Sequence, residues 1–115
     1  MIEISEEKKF IELLKVYLNY TKKIHTEYMN HGKKFVYAKI LHRTNKKIRK
    51  LIEKNLFFLS IQKQKLALDL LFHIEVWETI WTLEYDKQSP DWNDSFTFES
   101  ENKFPRESTT ILIND

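Results

Sequence analysis

Four histidines, His25, His31, His42 and His73, are the residues most able to move a proton near neutral pH, and the chain has no cysteine. Without cysteine there is no disulfide framework, no thiolate metal site and no sulfur nucleophile. His73 lies close to Glu75 and Trp77 in the most apolar stretch of the chain. His73 and Trp77 are four residues apart and share a helix face. A buried histidine beside a carboxylate can act as acid and base, or supply half of a metal site. The pattern stops there. No His-Glu-x-x-His or His-x-x-x-His spacing accompanies it. Glu75, Glu78 and Glu84 invite comparison with di-iron bundles, but those pair a glutamate with a histidine three residues on, and neither Glu75 nor Glu78 has one. Asp91, Asp94 and Glu99 lack the glycine and spacing of a calcium loop. The chain has one glycine, so glycine-rich phosphate loops are missing. No catalytic residue, metal or cofactor is therefore assigned. His73 is read as a hydrogen-bonded core or interface residue.

The charge pattern is more telling. Residues 32–65 hold eleven Lys or Arg against one acid, Glu53, a balance of +10. Residues 66–115 hold three against eleven, a balance of −8, and residues 1–31 cancel. Such asymmetry points to charged partners. Lys39, Arg43, Lys46, Lys47, Lys50 and Lys54 recur at helical spacing, opposite Tyr37, Ile40, Leu41, Ile48, Leu51 and Ile52. They form a basic face roughly 23 Å long at about 1.5 Å per residue, suited to phosphates of a nucleic acid. The acidic tail, with a balance of −4 over residues 86–115, could neutralise that face instead.

Three helices must position these residues. Ser5, followed by Glu6 and Glu7, starts a helix over about 5–30, and Asn30-His31-Gly32 stops it. A second helix runs over about 33–55. Ser60 caps a third over about 61–85, apolar on nearly every side. Two short helices cannot cover all of it. Either the tail or a second copy must, and Trp77, Ile80, Trp81 and His73 are the expected dimer or partner interface. The tail carries Trp92, Phe96, Phe98 and Phe104 as anchors. Residues 95–99 and 109–113 have the alternation and β-branching of a short two-stranded ribbon.

The expectation is an all-α fold: a three-helix antiparallel bundle over 1–85, with an irregular, acidic and aromatic segment, 86–115, docked on it. At 115 residues the chain suits a single folding unit, and its apolar runs are too short to span a membrane. The first seven residues lack a basic stretch followed by an apolar one, so no secretory leader is expected and the cytoplasm is the default. The expected function is a non-catalytic interaction module that self-associates and assembles with a protein partner. The alternative is a small nucleic-acid-binding protein that uses the basic helix.

Overall fold

Ser5 does cap the first helix. Its hydroxyl accepts the Lys8 N–H at 3.1 Å, and α1 runs Glu6–Asn30 in the computed structural model, which describes residues 5–98 and 104–114. The helix ends where Gly32 turns left-handed, at φ +75°. Across that glycine the Lys33 N–H reaches back to the Tyr28 carbonyl at 2.9 Å, the six-to-one bond of a Schellman stop. No atom lies within 4 Å of where a Gly32 side chain would begin, so backbone angle alone selects the residue.

The second helix, α2, spans Phe35–Asn55, and the third, α3, spans Ile61–Gln88. Ser60 caps α3 by accepting the Lys63 N–H at 3.3 Å. A left-handed Ser89 ends it, one residue before Pro90. The start of α2 is different. Lys34 occupies the cap position and offers no side-chain acceptor. The orphan N–H groups are met by a distant part of the chain: Phe35 donates to the Asp94 carbonyl at 2.7 Å, and Val36 to the Trp92 carbonyl at 3.1 Å. The Phe96 N–H returns a bond to the Lys33 carbonyl at 2.9 Å, and Lys34 and Ser95 form an isolated antiparallel bridge. Phe96, fully buried, is carried inward by this clasp, and the Tyr28 hydroxyl donates to its carbonyl.

The fold is all-α, with one correction. The ribbon does not form. Residues 109–113 belong to a fourth helix, α4, Arg106–Asn114, and residue 95 pairs with the α1–α2 turn. Residue 99 lies outside the described residues. The β-branched side chains of α4 are outweighed by packing. Thr109 and Leu112, three apart on one helix face, are both buried, and the Ser108 hydroxyl donates to Asp69 of α3 at 2.8 Å.

Two apolar cores follow. Phe10, Leu14, Ile48, Ile52, Leu70 and Leu112 lie in the first, which joins all four helices. Phe35, Ala38, Trp81 and Phe96 make the second, flanked by Tyr28, Trp77 and Phe98. Burial pushes the Tyr28 phenol above its ordinary pKa of about 10. A raised folded-state value means its contribution is complete below about pH 10 and is lost as pH rises through that value. Tyr28→Phe should therefore cost about 1 kcal/mol at neutral pH, through the lost bond to Phe96. It should also flatten the alkaline limb of stability, measured by urea unfolding between pH 8 and 11.

Candidate functional site

The second core is where polar chemistry enters the interior. Glu78 sits on α3 in phase with Ile74 and Trp81, so helix periodicity turns it inward. His42 sits on α2 one turn after the buried Ala38. The two meet as an ion pair, His42 Nδ1 against Glu78 Oε2, each side chain only 10% exposed. The His42 ring lies flat on the Trp81 indole, centroids 3.9 Å apart and planes 6° from parallel. Trp81 in turn stacks on Tyr85 at 5.3 Å and 5°. The Lys39 ammonium lies 5.7 Å from the Trp81 centroid and 6.0 Å from that of Tyr85. A histidine, a carboxylate, an indole and a lysine are thus layered between α2 and α3.

A His–Glu pair has the atoms for proton transfer, but both side chains here are enclosed. A cleft lined by Phe35, Lys39, Tyr85, Pro90, Asp91 and Trp92 includes neither of them. Beyond their close contact with each other, His42 Nδ1 and both Glu78 oxygens make no hydrogen bond, and Trp81 Nε1 is likewise buried without a partner among the described residues. Nor do three His, Asp or Glu side chains gather as a metal would need among those residues. The arrangement cross-links two helices.

The residues singled out from sequence fall in several places. Trp81 is 3% exposed and belongs to the chain's own core. Trp77 and Ile80 are half-buried, Trp77 beside Phe98 at 5.7 Å between centroids. His73 is half-buried against the edge of Phe104, at 5.3 Å and 88°. Glu75, two residues on and exposed, falls on another face of the helix. The buried pair is His42 with Glu78, a pairing the local spacing does not suggest. Its one signal is that Glu78 shares the phase of core residues and so needs a partner on a facing helix. On α2, Arg43, Lys46, Lys47, Lys50 and Lys54 are exposed, and none is ion-paired among the described residues. Lys39 is half-buried over its aromatic rings. The described tail acids make no ion pair with these cations. The tail is held by its backbone bonds and aromatic rings.

Comparison with protein-family models, with curated proteins and with solved structures finds no match. No described helix is long and apolar enough to cross a membrane.

Cutting one side of the buried pair leaves the other without its partner. His42→Ala or Glu78→Ala should each cost about 3–5 kcal/mol, whereas His42→Leu combined with Glu78→Leu should recover most of that loss. Denaturant unfolding of the three variants at pH 7 checks this. A double variant as unstable as either single one would contradict it.

Proposed function

We propose that the chain is a non-catalytic helical module that self-associates through the outer face of α3 and, in that form, assembles with a protein partner. The observation that carries this reading is a stripe of apolar side chains facing water. Ile61, Leu68, Phe72 and Leu83 are 74%, 45%, 64% and 57% exposed. At about 100° per residue they share an arc of about 60°, together with Lys65, Thr79 and Asp86. The buried residues Leu70, Ile74 and Trp81 lie on the opposite side of the same helix. Phe57 and Phe58, both exposed in the turn before α3, extend the patch at one end. A line of exposed apolar side chains at helical spacing marks an interaction surface.

The spacing of the stripe favours a second copy as occupant. Two α3 helices laid antiparallel about a two-fold axis between Glu75 and Val76 place Leu68 opposite Leu83 of the second copy. The same register sets Phe72 opposite Thr79 and Lys65 opposite Asp86. Every contact occurs twice, as a two-fold interface requires; Lys65 and Asp86 are complementary, while Glu75 lies at the axis beside its own copy. The His42–Glu78 pair, each side chain 10% exposed, reads as a link between helices.

Sedimentation at micromolar concentration tests the reading. The wild-type chain should be a dimer, and Phe72→Glu should be a monomer with unchanged helix content. Lys65→Asp and Asp86→Lys should each weaken the dimer by about two- to thirty-fold, since two rim pairs of about 0.2–1 kcal/mol are lost. Combining the two changes in one chain should restore it. A wild-type monomer at 100 μM would overturn self-association. A dimer indifferent to the charge exchange would overturn the register alone.

A further inference from the structure

We infer that the chain binds single-stranded nucleic acid, with one base held between Tyr85 and Trp92 and the adjoining phosphates lying along Lys39, Arg43, Lys46, Lys50 and Lys54. This surface lies on other residues than the α3 stripe and does not depend on self-association.

The base site is a cleft of about 230 Å³. Its floor is the buried Phe35 ring. Tyr85 and Trp92 both lie against that ring, each with its centroid 5.6 Å away, tilted by 31° and 37°. Both are exposed, Trp92 by 57%. One face of Tyr85 is taken by Trp81, so Trp92 offers the more open flat face on which any base can stack. The volume is below the roughly 300–1,000 Å³ of small-molecule pockets, so it suits one ring system at the edge of a longer ligand.

The charge runs out from this cleft in one direction. Lys39 lines it and is held over Trp81 and Tyr85. From Lys39 the residues Arg43, Lys46, Lys50 and Lys54 follow at steps of four, three, four and four, a single stripe along α2. The Arg49–Glu53 pair, 3.8 Å apart, lies beside the stripe and leaves its cations unpaired among the described residues. Asp91 is the acid in the cleft, and it comes from the tail, whereas Lys39 comes from α2. A strand whose phosphates lie toward α2 keeps them from Asp91 and offers it the N–H groups of a base. The duplex does not fit this arrangement, because its bases are stacked on one another and cannot enter the cleft.

Three ligands of equal length separate base capture from plain charge attraction, all measured with the wild-type chain by fluorescence anisotropy at ~50 mM salt: oligo-dT, the same strand without bases, and a duplex. Oligo-U should bind as oligo-dT does, since a site built only on stacking and phosphates takes both RNA and DNA. The oligo-dT should bind about five- to hundred-fold more tightly than the abasic strand. Its log–log salt slope should be near −3, from four or five phosphate contacts on a single strand. Lys46→Glu with Lys50→Glu should weaken oligo-dT and heparin alike. Trp92→Leu, checked by thermal melting, should weaken oligo-dT and leave heparin unchanged. Equal binding of the abasic strand, tighter binding of the duplex, or no binding of any strand would overturn the inference.

Discussion

Two backbone hydrogen bonds at the start of α2 govern the upper half of the molecule. A helix needs acceptors for its first N–H groups, and Lys34 supplies none from its side chain. The carbonyls of Trp92 and Asp94 supply them instead. That need draws the chain after α3 back across the α1–α2 turn. Once there, Phe96 has nowhere to go but inward, against Phe35 and Trp81. The second core is therefore built around a tail segment, and its aromatic rings are placed by capping as much as by hydrophobicity.

The same helices that share a core turn different surfaces outward. On α2 the apolar residues occupy one side, so the cations are left together on the other. On α3 there is no such division. One side is buried against the other helices, and the opposite side mixes Ile61, Leu68, Phe72 and Leu83 with Lys65, Glu75, Thr79 and Asp86. The tail and α4 relieve part of this by covering the flank that carries Asp69, His73 and Trp77. They leave Leu68, Phe72 and Leu83 in water. Burial thus separates the protein into a charged face and an apolar face carried by different helices.

Features set by neighbouring residues were legible in the sequence. Ser5, Gly32 and Ser60 mark helix ends because a cap or a left-handed turn involves only a few consecutive positions. The all-α class and the basic stripe of α2 follow from periodicity, which is also local. Features that depend on distant partners were not legible. Residues 109–113 read as a strand, because Thr, Ile and Leu in series favour one; they fold as a helix because Leu112 is buried with Phe10 and Leu70. Helix α2 begins two residues later than its sequence suggests, since Lys33 and Lys34 are held in the turn by the tail. His73 drew notice through Glu75, its neighbour in sequence. His42 and Glu78 lie on separate helices, and only the inward phase of Glu78 hinted that a partner was required.

The aromatic cleft depends on the tail in a way that links binding to folding. Its floor comes from α2, one wall from α3 and the other from Trp92, which reaches Phe35 only while its carbonyl caps Val36. Release of the tail would remove a wall of the cleft and two caps of α2 in one event. A ligand lodged between Tyr85 and Trp92 would bind the docked state alone, and binding to one state stabilises it by mass action. The stabilisation would fall on the clasp, so it would be felt at the start of α2 and in the Tyr28–Phe96 contact, well away from the first core. A lysine placed at that junction serves both roles: the Lys39 ammonium lies over the rings of Trp81 and Tyr85 and stands at the head of the cationic stripe.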